Sequence, residues 1–300
     1  MAYFVVAIHT TRWSLWGLLD IAVPWFFLVS GFFLFRKMDG NKEEDLFIIK
    51  TWIVRIFVLY LIWTLIYLPF AIVPFHNEKM SLGTSVIVWL RNVILVGENL
   101  YSCQLWYLLA LLWGGILIWV MRLSGLPLWG MFLVGLSLYL GAKFFQLDNT
   151  PMYVKLFKTT RNGLFLGLFF LTGGGLIQKW VDVSSIRKPI LWDALLIIVS
   201  FVCFQLNRFF MFPLCAGIFL LSYRLELVFL DDNIARDIGS MSKIIYLIHM
   251  IIVGLMCLYS SIERGLLFFA ITSIASTLIA LVFIGPLRET RIYRLLFNWR

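Results

Sequence analysis

Charge is scarce in this sequence. Only 14% of its 300 residues are Asp, Glu, Lys or Arg, where a soluble domain carries roughly a quarter. Water has too few groups here to solvate, which excludes an ordinary soluble core. Cysteine is scarce as well. The four residues Cys103, Cys203, Cys215 and Cys257 show no CxxC or other ligand spacing, and three lie within apolar stretches. They read as small packing residues, with no disulfide framework and no metal site implied. Hydrolase and metalloprotease signatures of the GxSxG and HExxH kind are missing. "LTGGGLIQKW" is not a phosphate loop, because it lacks the lysine spacing and follows no strand. Its glycines, and the GxxxG formed by Gly163 and Gly167, point instead to close helix packing. No Ser/Gly linker, low-complexity run or internal repeat interrupts the chain. Residues 1–300 therefore read as a single integral-membrane domain with no appended soluble domain.

What fills the sequence is apolar residues, 62% of the total, with a mean hydropathy of +0.93. Lipid is the solvent that such a surface needs. A spanning helix takes about 20 mostly apolar residues. Segments 15–35, 51–74, 104–122, 126–146, 161–180, 189–206, 240–259 and 264–285 meet that length, and 209–223 is a shorter candidate. The opening stretch 1–12 makes a tenth, short by itself, and 86–96 fits an interfacial or re-entrant helix. No cleavage site and soluble region follow the apolar start, so it is not read as a secretory signal. The fold class expected is all-α, a polytopic membrane bundle of about ten transmembrane helices.

The net charge of +9 could suggest nucleic acid in a soluble protein. Here the gathering of Lys and Arg in cytoplasmic loops is the better account, and no nucleic-acid partner is expected. With ten spans and both termini cytoplasmic, the inner segments hold the larger share of basic residues. They include Arg36, Lys37, Lys50, Arg122, Arg187, Lys188, Arg224, Arg236, Lys243 and Arg300. The outer segments hold Arg12, Lys79, Lys143, Arg161 and Arg208 among others. Tryptophan and tyrosine cluster at span ends (Trp13, Trp16, Trp106, Tyr107, Trp129, Trp180, Trp192), as in an interfacial aromatic belt.

Ionisable groups within the bilayer cost a few kcal/mol on insertion scales and become candidate site residues for that reason. His9 closes the apolar run "VVAIH". A neutral imidazole has a donor and an acceptor and titrates near neutral pH, so it can take a proton from a hydroxyl. A packed histidine bonded to a neighbouring helix is the plain alternative. Arg55, in "KTWIVRIFVLYLIW", falls about one turn above the cytoplasmic surface. Arginine reads phosphate bidentately, and with Arg36, Lys37 and Lys50 it could form a basic mouth for a cytosolic anion. Snorkelling to headgroups competes with that reading. Asp20 is placed to pair with Arg12 or to orient His9. Asp193 reads as a local ion pair with Lys188. His249, central in "IYLIHMIIV", needs a polar partner that the sequence does not name.

Taken in order, these pieces resemble the acyltransferase-3 family of integral-membrane O-acyltransferases. The stretches that carry the resemblance are "VVAIH", "VPWFFLVSGFFLF", "IVRIFVLYLIW", "QLWYLLALL", "TRNGLFLGLFFLTGGGLI" and "IIYLIHMIIV". It implies a ten-span fold. It also implies transfer of an acetyl or other short acyl group from acetyl-coenzyme A, a co-substrate not bound tightly, to a hydroxyl of a cell-surface glycan or lipid-linked carbohydrate. His9 takes the position of the family's catalytic histidine, Arg55 that of its third-span arginine, and Arg36 and Lys50 extend the donor site. Asp20, Ser30, Trp106, Tyr107, Arg161, Asn162 and His249 are expected to touch the acceptor. The resemblance puts the protein in a bacterial inner membrane. Many members carry an arginine upstream of the histidine, for which Met1 leaves no position here. A polysaccharide or small-solute transporter, and a truncated inactive homologue, are the competing readings.

Overall fold

The computed structural model describes the chain except residues 13–14, 78–81, 99–101, 184–188, 230 and 298–300. Trp13, Lys79, Arg187, Lys188 and Arg300, assigned above to interfaces and loops, lie outside the described residues, as does the side chain of Trp16. Among the described residues every regular element is helical.

The helix α1, Ala2–Thr10, is followed by a 3₁₀ stretch, Leu15–Ile21, that runs into α2, Ala22–Phe35. Next come α3, Lys42–Asn77, and α4, Leu82–Arg91, which ends in a π turn, Asn92–Val96. A 3₁₀ turn, Cys103–Leu105, opens α5, Trp106–Leu123. Then follow α6, Leu128–Phe144, and the short α7, Pro151–Phe157. A π turn, Gly163–Gly167, leads into α8, Leu168–Val183. The remainder is α9, Pro189–Leu206; α10, Met211–Phe229; α11, Asp232–Tyr259; α12, Leu266–Ile284; and α13, Arg291–Phe297.

Seven of these stretches are long and apolar enough to cross a bilayer, so the protein is an integral membrane protein with an all-α fold. The all-α polytopic bundle expected is what forms, and its first helix is short, as the sequence suggested. At 1.5 Å per residue, the 9 residues of α1 reach only about 14 Å of a ~30 Å hydrocarbon core. Leu128–Phe144 and the apolar part of α9 are also shorter than a full crossing. The third span departs in the other direction. It starts at Lys42, where Glu43, Glu44 and Asp45 occupy the first turn of α3 and meet the positive end of its dipole.

Glycines decide how closely the helices sit. A Cβ on Gly31 of α2 would overlap the Leu171 carbonyl of α8, and one on Gly174 of α8 would overlap the Leu28 carbonyl of α2. The two backbones are in contact, which is the use foreseen for the triple-glycine stretch. Gly163 meets the Ala110 carbonyl of α5 in the same way. Around this seam Phe27, Phe32 and Phe170 are almost completely buried. Trp129, Trp180 and Trp192 are exposed, as a belt requires, but Tyr107 is buried and turns inward. Asp193 lies 2.7 Å from Arg224 of α10, an ion pair with a residue of another helix; the pairing expected with Lys188 lies outside the described residues. Asp45 and Arg122, 2.7 Å apart, tie the start of α3 to the end of α5.

Candidate functional site

The short helix α1 packs on α11 and α12, and its last turn carries His9 into the protein interior. Thr10 and Thr11 donate their hydroxyls to the carbonyls of Val6 and Ala7, which satisfies polar groups at this buried helix end. His9 lines a cavity of about 280 Å³. Its Nδ1 lies 3.7 Å from the Cys103 Sγ, at the turn that opens α5.

His249 sits behind His9, with ring centroids 5.5 Å apart, and is fully buried. Its Nδ1 is 2.8 Å from the Tyr246 carbonyl and 3.2 Å from that of Ile245. Carbonyls only accept, so Nδ1 carries the proton and Nε2 is the bare acceptor. That Nε2 is buried without a hydrogen-bond partner. The partner that the sequence left unnamed is therefore the backbone of α11 itself, with His9 as the neighbouring ring.

Charges of both signs rim the same cavity: Asp20 ahead of α2, Glu98, Lys143 at the end of α6, Arg161 and Arg208. Glu98 is paired with Lys158 at 2.6 Å. Arg208 rests 4.3 Å above the Phe204 ring and lies against Gly17, whose φ of +75° leaves no room for a Cβ beside the guanidinium. Among the described residues Asp20, Arg161 and Arg208 form no ion pair, so Asp20 is not joined to Arg12. Asn162, next to Arg161, does not line the cavity. Its Oδ1 caps the following π turn by accepting from the N–H groups of Leu164 and Phe165. Its Nδ2 donates to the Tyr153 hydroxyl at 2.9 Å. Burial pushes that phenol up to about 12, opposed by the Asn162 bond, so it stays protonated and donates to the Thr159 carbonyl. Asp148 holds Thr160 through both its N–H and its hydroxyl. The segment that presents Arg161 is thus firmly anchored.

A second cavity, about 940 Å³, opens on the other side of an aromatic wall. Trp25, Phe26, Ser30 and Phe33 of α2 line it, as do Tyr107 of α5, Tyr223 of α10, and Arg236 and Lys243 of α11. Ser30 Oγ and Tyr107 Oη are 2.9 Å apart, and Tyr107 donates to the Phe26 carbonyl at 3.2 Å. Arg36 reaches the rim, donating to the Tyr223 hydroxyl at 3.4 Å. Tyr246 faces both cavities. Its hydroxyl donates to the Gln104 carbonyl at 2.5 Å, and its ring packs against Tyr107 with centroids 5.5 Å apart. These two tyrosines form the wall.

The structure thus gathers His9, Asp20, Trp106 and Arg161 in one cavity and Ser30 and Tyr107 in the other. Lys50 and Arg55 are exposed and line neither, because the face of α3 turned to the larger cavity is Trp52, Ile56 and Leu59. Sequence reasoning missed Cys103, Gln104, Arg208, Arg236, Lys243 and Tyr246. Only the last two left a trace: Lys243, Tyr246 and His249 recur at intervals of three, one stripe of a helix.

A half-buried histidine lining one cavity of a polytopic bundle is the candidate site, and the sequence comparison gives the class. The Acyltransferase domain family matches residues 2–285, and the chain belongs to that family. Among curated proteins it is similar to a serine/alanine racemase of Enterococcus gallinarum, 30% identical across 64% of this chain and 30% of that protein. It is also similar to an amino-acid racemase of Enterococcus faecalis, 25% identical across 97% of this chain and 45% of that protein. The chain spans less than half the length of these relatives. No solved structure matches it.

Proposed function

We propose that this membrane acyltransferase moves a short acyl group, acetyl in the simplest case, from acyl-coenzyme A to the hydroxyl of an acceptor held beside His9. The observation that carries the reading is the pair of unlike cavities meeting at the Tyr107–Tyr246 wall, with His9 on one side and three cations on the other. The larger cavity has the size of a typical ligand site. Its apolar walls suit a pantetheine arm, and Arg36, Arg236 and Lys243 suit the phosphates at its mouth. With the ten passes that the resemblance implies, the positive-inside rule favours a cytoplasmic mouth, both termini on that side and an outward-facing His9 cavity. A bacterial plasma membrane is the setting that the family resemblance implies.

In the smaller cavity His9 accepts the proton of the attacking hydroxyl as the carbonyl carbon is attacked. Asp20, Arg161 and Arg208 hold the acceptor. A carbohydrate of the cell surface, free or lipid-linked, is the acceptor favoured by the resemblance. A second reading rests on the charges. The Asp20 carboxylate and the Arg161 and Arg208 guanidiniums line one cavity with no ion pair among the described residues, which suits a zwitterion, and the relatives' names concern amino acids. The acceptor is then a hydroxy amino acid, or such a solute is transported rather than acylated.

The test uses membranes supplied with labelled acetyl-coenzyme A, surface glycans and serine, with products read by mass spectrometry. Acetylated glycan supports the first reading and acetylated amino acid the second. Uptake of serine without any acyl donor, and with no acetylated product, supports transport. Equal transfer by the His9→Ala variant at equal expression removes His9 from the chemistry.

A further inference from the structure

Cys103 was set aside from the sequence as a packing residue, yet it is a thiol with a base beside it. Its sulfur lies 3.7 Å from His9 Nδ1, and both residues line the smaller cavity. It begins the 3₁₀ turn that opens α5, which holds the sulfur at the cavity wall. The neighbouring Gln104 lines the same cavity and is 1% exposed. Its Nε2 is directed at the Leu247 carbonyl, 3.5 Å away, while its Oε1 is buried with no partner. A buried acceptor without a donor is costly. One beside a thiol–imidazole pair marks a place for the hydroxyl of a bound molecule.

We propose that Cys103 carries the acyl group during transfer, with His9 as its base. The inference deepens the acyltransferase reading and rests on it for the identity of the donor. In the first step the Cys103 sulfur attacks the donor thioester carbonyl. The Cys103 proton passes to His9, the carbonyl–sulfur bond to coenzyme A breaks, and the departing thiolate takes that proton. One thioester replaces another, so no oxidant or energy source is needed. In the second step an acceptor oriented by a neighbouring hydroxyl that donates to Gln104 Oε1 attacks the Cys103 thioester with its reacting hydroxyl. His9 takes its proton, and the Cys103 sulfur leaves and recovers that proton. An ester and a free thiol result. The relay fits two cavities that share a wall rather than a floor. Donor and acceptor need not be bound together, because the acyl group waits on the sulfur next to Tyr246.

The test is acid-quenched mass spectrometry of the full chain in detergent, without acceptor. It is run with acetyl-coenzyme A and separately with p-nitrophenyl acetate as a small activated ester. One acetyl group mapped to Cys103, released by neutral hydroxylamine and absent in His9→Ala, is the expected result. Cys103→Ser, close to the native shape, should lose the hydroxylamine-labile adduct. Exchange of label between acetyl-coenzyme A and free coenzyme A without acceptor should disappear with it. Acceptor acetylation with no adduct on Cys103 from either donor, or full transfer by Cys103→Ala, overturns the relay and leaves the acyltransferase reading standing. An adduct from the activated ester with neither adduct nor transfer from acetyl-coenzyme A supports the nucleophile and removes the proposed donor. No adduct from either reagent overturns the relay whether or not transfer occurs.

Discussion

The two cavities share Tyr246 and little else. The smaller one, about 280 Å³, is assembled from seven separate pieces of chain and rimmed by charges of both signs. The larger one, about 940 Å³, is walled by aromatic and aliphatic side chains, with Arg236 and Lys243 among its polar residues. A space that recognises by charge placement must be rigid, and the Asn162 cap and the Asp148 clasp supply that rigidity around Arg161. A space that takes a long flexible arm needs room and a few cations. The difference is what two substrates of unlike chemistry would ask of one bundle.

The strongest way to break this contrast is at the smaller cavity. His9→Ala should lower acyl transfer by about 10²–10⁴-fold, the usual contribution of a positioned acid or base, measured in membranes at matched expression. Substitutions on the two sides should then separate by substrate. Arg236→Ala should raise the donor KM and leave the acceptor KM unchanged, and Arg208→Ala should do the reverse. Each change should be roughly ten- to a hundredfold, the scale of about 1.5–3 kcal/mol for a hydrogen bond to a charged group. Arg55→Ala, outside both cavities, should move neither constant. A cost to the scaffold comes next. Gly174→Val forces a side chain into the Leu28 carbonyl and should destabilise the detergent-solubilised protein by about 1–3 kcal/mol, read by thermal unfolding. Smallest is Tyr107→Phe, which removes the bonds to Ser30 and Phe26 for about 1 kcal/mol. The same measurement reads it.

Much of the fold was legible because hydropathy is a local property: the apolar runs announced the helices, and the glycine stretch announced the tight seam. Length was less legible. The 1–12 stretch was short by itself and forms only Ala2–Thr10, and 126–146 forms Leu128–Phe144, because a few residues at each end decide how far a helix reaches. Facing was less legible still. Arg55 sits in a helix apolar on nearly all sides, where no stripe tells which residues turn inward. Partners distant in sequence were out of reach. Arg224 of another helix pairs with Asp193, and the Cys103–His9 contact joins residues 94 apart. His9 itself was visible because a lone imidazole among aliphatic residues contradicts its surroundings.

Tyr246 has a consequence for the cell as well as for the reaction. Tyr246 lines both cavities, so one side chain separates them there, and a cell membrane that stores energy as an ion gradient depends on barriers of that kind. Under the proposed transfer an acyl group that crosses here displaces the ring, and an empty gap would conduct protons. The arm that opens the wall must therefore also stopper it, so that passage and leakage are separated only by the closeness of the fit around the moving chain.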